Sequence, residues 1–214
     1  MTVTQISAQE LFRAAYQNRY TWDENFPGYS ADITYKYDGE VFTGKVRIDA
    51  NLKWEVLQIE DPVAKKAIEG QVWEIAVHRV RRSFEQSHGE NTFTYGETDE
   101  TGAVEVFLGG KSAGDKYKVR NDVVTLVHRH IHGVVVTINT VSIYETGAGY
   151  LSNTYDAVYH DPQTGIQKGG RSEFTDEYEK VGNYYILKRR EISTETDGNL
   201  SVQEFIFSNL ELLG

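Results

Sequence analysis

A chain of 214 residues with 39% hydrophobic and 12% aromatic residues can bury a substantial core, and its length fits one large β-domain over residues 1–214. A formal net charge of -10, from 22 Lys and Arg against 32 Asp and Glu, argues against a nucleic-acid binder and against a polybasic anchor to anionic lipid. The lack of cysteine excludes disulfides, a thiolate nucleophile and sulfur-ligated metal centres, and no cofactor is expected.

The opening MTVTQISAQELFRAAYQNRY has no basic segment leading into an apolar core, so it does not read as a secretory signal, and with Met1 in place the chain is expected to be cytoplasmic. No run approaches the roughly eighteen apolar residues of a membrane-spanning helix. Ser7 followed by Glu10 has capping-box spacing, and Leu11, Phe12, Ala15 and Tyr16 recur at helical intervals. They predict a helix over residues 7–19 that either plugs a sheet or simply closes one end of it.

After Phe26-Pro27-Gly28 the alternation is clean: Tyr29, Ala31, Ile33, Tyr35 and Tyr37 share one face of a strand, and Ser30, Asp32, Thr34, Lys36 and Asp38 share the other. Asp38-Gly39 predicts a hairpin turn, with Phe42, Val46 and Ile48 continuing the apolar face and Trp54 on a third strand over residues 52–59. Asp61 as N-cap and Pro62 at the first helical position open a helix predicted over residues 62–85. Its apolar stripe is broad: Ile68, Val72, Trp73, Ile75, Ala76, Val77, Val80 and Phe84. His78, Arg79, Arg81 and Arg82 gather near its C-terminal end, where cations are favoured and where an acidic partner could also dock.

Short strands are predicted over residues 92–97 and 104–108, followed by a Gly-rich loop at 109–114. The stretch 117–150, rich in Val, Ile, Thr and Tyr and broken at Asn121-Asp122 and His132-Gly133, reads as a three-strand meander. Strands over 151–160, 166–178, 184–194 and 200–210 follow. The fold class is mainly β (α+β): a large antiparallel, unclosed half-barrel sheet of about eleven strands, with an N-terminal helix and an inserted helix packed on it.

Motifs for chemistry are sparse. Gly110-Lys111-Ser112-Ala113-Gly114 matches the G-x-S-x-G spacing of a nucleophile elbow, but that elbow needs a helix after the serine and a strand follows here. The same loop ends like a phosphate-binding loop, yet Glu105 stands where that motif's first glycine belongs. His128, His130 and His132 alternate along one strand at intervals of about 6.6 Å. A His128/His130 pair could share a metal, but further donors must converge, so a polar strand face without metal is expected. Asp176, flanked by Phe174 and Tyr178, could face inward with a raised pKa, but a strand end dipping into solvent is the expected reading.

The stretch from Phe26 to Trp73, and the closing hairpin from Gly182-Asn183-Tyr184-Tyr185-Ile186-Leu187-Lys188 through Glu204-Phe205-Ile206-Phe207, resemble the unclosed β-barrel of periplasmic lipoprotein carriers. The whole chain also resembles an uncharacterised family of similar length from oxygenic photosynthetic bacteria and plastids. The carrier resemblance implies a concave apolar face, covered by helices, that receives acyl chains. The lipoprotein-sorting role is not carried over, because the lipobox cysteine is missing. The resulting expectation is a non-enzymatic binding protein for a hydrophobic or lipid-like ligand, lined by Tyr35, Tyr37, Phe42, Trp54, Trp73 and Val77; 14 Tyr, 9 Phe and 3 Trp are many for one sheet. Its alternative is a protein-interaction or assembly module using the sheet edge and the basic helix end. A metal- or serine-dependent enzyme is the third reading.

Overall fold

The computed structural model describes residues 6–214, so the Met1 start that entered the cytoplasmic expectation lies outside the described residues. Helix α1 (Ala8–Gln17) is followed by strands β1 (Gly28–Tyr37), β2 (Glu40–Asp49) and β3 (Trp54–Leu57). Helices α2 (Pro62–Arg79) and α3 (Phe84–His88) come next. An unbroken run of strands completes the chain: β4 (Asn91–Thr98), β5 (Val104–Gly110), β6 (Lys116–Arg120), β7 (Val123–Ile131), β8 (Val134–Glu145), β9 (Tyr150–His160), β10 (Gln167–Val181), β11 (Tyr184–Thr196) and β12 (Asn199–Leu212).

The strands form one twelve-stranded sheet in the order β3-β2-β1-β12-β11-β10-β9-β8-β7-β6-β5-β4. It is unclosed, with β3 and β4 as its edges. Two-residue turns with positive φ join several neighbours, including Asp38-Gly39 (52°, 78°) and His132-Gly133 (49°, 78°), the geometry whose twist matches that of antiparallel strands. This is the predicted architecture, with twelve strands in place of about eleven.

The chain divides into two compact units, one running to Tyr20 and resuming over Arg82–Ser172, the other comprising Thr21–Arg81 and Glu173–Gly214. In the first, the predicted capping box forms at α1: the Glu10 backbone N–H donates to Ser7 Oγ at 3.2 Å and the Ser7 N–H to Glu10 Oε2 at 2.8 Å. The helix buries Ala8, Phe12 and Ala15. The Phe12 ring lies 4.5 Å from Tyr117, 5.1 Å from His88 and 5.6 Å from Phe93, centroid to centroid, so α1 fills the apolar face of this unit with an aromatic core. His88 is drawn into that core. Burial, with Arg129 and Arg19 adding to it, pushes its imidazole down to about 4.

One predicted element is corrected. The helix expected over residues 62–85 ends at Arg79, because Val80 adopts an extended conformation and caps it. Ser83 then starts α3 with a second capping box to Gln86. The apolar pattern ran through this break because Val80 and Phe84 fall at helical spacing from Ala76, and Ser83-x-x-Gln86 was the overlooked signal.

Candidate functional site

The second unit carries the aromatic face expected for a ligand. On β1, Tyr29, Ala31, Ile33 and Tyr35 are buried at alternate positions. Directly opposite strand residues project to the same side of a sheet, so register defines the rest of the face. Tyr35 pairs with Phe42 and Phe205, Ile33 with Gly44 and Phe207, Val46 with Val56, and Ile48 with Trp54. The Tyr35 ring stacks at 4.7 Å from Phe205, 5.9 Å from Phe42 and 6.4 Å from Tyr37, and its hydroxyl donates to Gln203 Oε1 at 3.1 Å. Burial raises the pKa of that hydroxyl.

This face is filled. Ile33, Val46, Ile48, Phe205 and Phe207 are fully enclosed, and α2, which packs along β3 and β2 and reaches β11 at Arg190, has Ala64, Ile68, Val72, Ile75 and Ala76 on its buried side. At Gly44 an added Cβ would meet the Leu57 carbonyl oxygen at 2.5 Å and Ile59 Cδ1 at 2.7 Å, so the gap opposite Ile33 is taken up by the chain itself.

Of the expected lining residues, the structure brings Tyr35, Tyr37, Phe42 and Trp54 to one sheet face, with Tyr35 buried, Phe42 and Trp54 half-buried and Tyr37 exposed. Trp73 and Val77 are not among them. They stand on the outward side of α2, 46% and 36% exposed. Spacings of 4, 3 and 1 through Ile68, Val72, Ile75 and Ala76 set the buried side, and Trp73 and Val77 lie a quarter turn or more away from it. The broad stripe in the sequence had merged two sides of the helix.

The expected solvent-dipping strand end is corrected: Asp176 faces inward, 1% exposed, because it is held by a partner the sequence did not single out. Arg190, on β11, donates from Nε to Asp176 Oδ1 at 2.7 Å and from Nη2 to Oδ2 at 2.6 Å. Its Nη1 reaches α2, donating to Gln71 Oε1 at 2.9 Å and to Glu74 Oε2 at 3.2 Å. Because Arg190 pairs with Phe205, this ion cluster sits on the same face that α2 covers and ties the flank of the helix to the sheet. The Tyr178 hydroxyl donates to Asp176 Oδ2 at 3.2 Å, and Arg79 Nη2 donates to that hydroxyl at 3.4 Å. Burial raises the pKa of Glu74 while Arg190 opposes the shift, and burial likewise raises that of Tyr178. An acid held by both oxygens in a guanidinium fork is suited to tethering rather than to proton transfer. The available signal was weak: Arg190 falls at alternate positions with Ile186 and Ile192, but Lys188 and Arg189 stand directly before it.

Tyr29 is fully buried, and its hydroxyl has no hydrogen-bond partner among the described residues. The Trp22 and Phe26 rings pack against it at 6.0 and 6.5 Å. Burial pushes its pKa up, with Arg79 opposing.

The remaining candidates are placed separately. His128 Nδ1 lies 2.9 Å from Thr137 Oγ1, and His130 Nδ1 lies 3.1 Å from Asp115 Oδ1, which also accepts the His130 backbone N–H at 2.9 Å. His132 occupies the turn beyond the strand. No group of three or more His, Asp or Glu side chains suited to a metal gathers among the described residues. His128 and His160 instead line a shallow cavity of 330 Å³ with Val135, Thr137, Asp161 and Pro162. Ser112 sits in the turn between β5 and β6, with strand on both sides. In the basic cluster, Arg79 is committed to Tyr178, while His78 and Arg81 are exposed.

These features define a class: a protein built on an unclosed antiparallel sheet whose apolar face is covered by an inserted helix. The chain belongs to the DUF3386 family, described as a protein of unknown function, whose model matches residues 3–213. Comparison with curated proteins finds no match. Among solved structures it is similar, at 10% identity, to a putative outer membrane lipoprotein-sorting protein domain from Vibrio parahaemolyticus, covering 96% of this chain and 92% of that one with a TM-score of 0.32. A DUF1329 family protein from Desulfovibrio piger is similar at 8% identity, 96% and 91% coverage and a TM-score of 0.28. The Pseudomonas aeruginosa MucA/MucB complex is matched at 10% identity, 97% and 99% coverage and a TM-score of 0.25. At such scores no property of those proteins passes to this chain. No helix among the described residues is long and apolar enough to cross a membrane.

Proposed function

We propose that this is a non-enzymatic binding protein for a hydrophobic or lipid-like molecule, and that α2 stands in the ligand's place in this closed state. The observation that carries the reading is the construction of the cover. A continuous apolar face across β3, β2, β1 and β12 is closed by one helix whose sheet-side residues are small or aliphatic. The flank of that helix is held through Gln71 and Glu74 by a single arginine. Polar ties of this kind exchange for water when a helix lifts, whereas apolar surface bared to water is covered again only if another apolar body takes the helix's place. An acyl chain supplies that replacement, and the unpartnered Tyr29 hydroxyl supplies a polar handle inside the same unit.

The test is a titration of delipidated protein with a fluorescent fatty-acid probe, alongside native mass spectrometry of the protein as purified. The Gln71→Ala/Glu74→Ala variant frees α2 from Arg190 while leaving the two-point Asp176–Arg190 pair in place. It is expected to take up the probe several-fold faster than the wild type. Failure of both proteins to bind the probe, with no copurifying lipid or pigment, overturns the reading.

A further inference from the structure

The outward side of α2 has a pattern that neither the sheet nor the proposed ligand explains. At about 100° per residue, Trp73, Lys66, Val77, Gly70, Val63, Glu74 and Ala67 fall within an arc of about 120° centred on Gly70. Most of the arc faces solvent: Val63 is 74% exposed, Trp73 46% and Val77 36%, a Cβ built on Gly70 meets nothing within 4 Å, and only Ala67 and Glu74 at one edge are half-buried.

We infer that this face is the seam of a homodimer, in which α2 of one copy packs antiparallel on α2 of a second copy about a two-fold axis through Gly70. The argument is the mirror symmetry of the stripe about that residue. An antiparallel pair in this register sets each residue against the one equally far beyond Gly70 on the other helix. Val63 then meets the second copy's Val77, the bulky Trp73 meets the small Ala67, and Lys66 meets Glu74. Lys66 has no ion-pair partner among the described residues, and Glu74 is bound from one side only by Arg190. Gly70 meets Gly70, which lets the two backbones approach closely at the crossing point. At the ends, the exposed Glu60 of one helix comes beside the exposed His78 of the other, and the positive N-terminal end of each helix dipole lies next to the negative C-terminal end of its partner. A two-fold interface must be complementary to itself, and this stripe is so in size and in charge. An anionic bilayer fits less well, since Glu74 lies within the stripe and the chain carries a net charge of -10.

Eighteen residues of helix are about 27 Å long, a short seam, so the dimer is weak and exchanges with monomer. Sedimentation equilibrium of the full chain over micromolar to several hundred micromolar protein should show a monomer–dimer equilibrium. Gly70→Glu sets two carboxylates against each other at the axis and should weaken association at least tenfold. The same change raises helix propensity in a position with open space around it, so an unchanged melting temperature separates loss of the seam from loss of the fold. The chain lacks cysteine, which makes register testable by oxidation. Gly70→Cys should cross-link to itself, Val63→Cys should not, and Val63→Cys combined with Val77→Cys should. A protein that stays monomeric, a dimer indifferent to Gly70→Glu, or the wrong cross-linking pattern overturns the inference. So does monomeric protein whose binding to phosphatidylglycerol vesicles is abolished by Gly70→Glu, which assigns the stripe to a lipid surface.

Discussion

Replacing Arg190 by Met probes the tether between α2 and the sheet. The guanidinium holds both oxygens of Asp176 at 2.7 and 2.6 Å, and the carboxylate is 1% exposed. Without Arg190 that charge stays buried beside the Tyr178 hydroxyl, and breaking a buried pair from one side costs about 3–5 kcal/mol. The reverse deletion, Asp176→Leu, is milder. It leaves Arg190 with Gln71 and Glu74, and Glu74 is partly open to water, so about 2 kcal/mol is expected. Removing both charges leaves neither ion stranded, so Asp176→Leu/Arg190→Met should fall within about 1 kcal/mol of the wild type. The coupling between the two sites is then at least about 4 kcal/mol, well outside additivity. Urea unfolding at pH 7, followed by tryptophan fluorescence and by circular dichroism, measures all four corners of the cycle. An Arg190→Met loss under about 1 kcal/mol, or a double variant equal to the sum of the singles, refutes the reasoning.

The imidazole of His88 titrates at about 4 in the fold against an ordinary value of 6.5, so the unfolded chain binds the extra proton between those values. Stability is therefore full above pH 6.5 and falls as pH drops toward 4, by about 3 kcal/mol, a slope that comparison with His88→Gln isolates. Glu74 shifts the other way: burial raises its pKa, so its ionised form opposes folding as pH rises above the ordinary carboxylate value. Glu74→Gln should therefore stabilise the monomer at pH 7, with the gain shrinking as pH falls toward about 4.5 and gone below it. Tyr29→Phe removes a buried hydroxyl without a partner among the described residues, and a gain of about 1 kcal/mol in urea unfolding is expected; a loss of that size reveals a partner.

The sheet was legible because its signals are local. Alternation along Tyr29 to Tyr37, and turn pairs such as Asp38-Gly39, Asn121-Asp122 and His132-Gly133, each specify a strand or a hairpin without reference to distant residues. Counting outward from the Asp38-Gly39 turn put Phe42 on the same apolar face as Tyr35, and the two lie directly opposite each other. The site was less legible for two reasons. Arg190 and Gln71 are 119 positions apart, and nothing local to either residue signals the bond between them. Along α2, apolar residues on both the inner and the outer side blur the period, so pattern alone could not tell Val72, which is enclosed, from Trp73, which is exposed.

That blurring bears on how ligand binding and dimerisation fit together. A helix with apolar residues on two sides leaves one of them bared to water unless a second surface receives it: in α2 the sheet takes Ala64, Ile68, Val72, Ile75 and Ala76, and the proposed second copy takes Val63, Trp73 and Val77. If a ligand enters by displacing α2 from the sheet, the outward stripe moves with the helix, and the two equilibria are coupled through a single element. Coupling of this kind is reciprocal: the factor by which saturating ligand changes the dimer constant equals the factor by which dimerisation changes ligand affinity. The two proposals therefore constrain each other although each stands on separate observations. A dimer constant that shifts with bound fatty-acid probe, matched by the same factor in probe affinity between dilute and concentrated protein, places the ligand under α2. A probe that binds while the dimer constant stays fixed places it away from this helix, in which case the aromatic face of β1 and β12 serves as core alone.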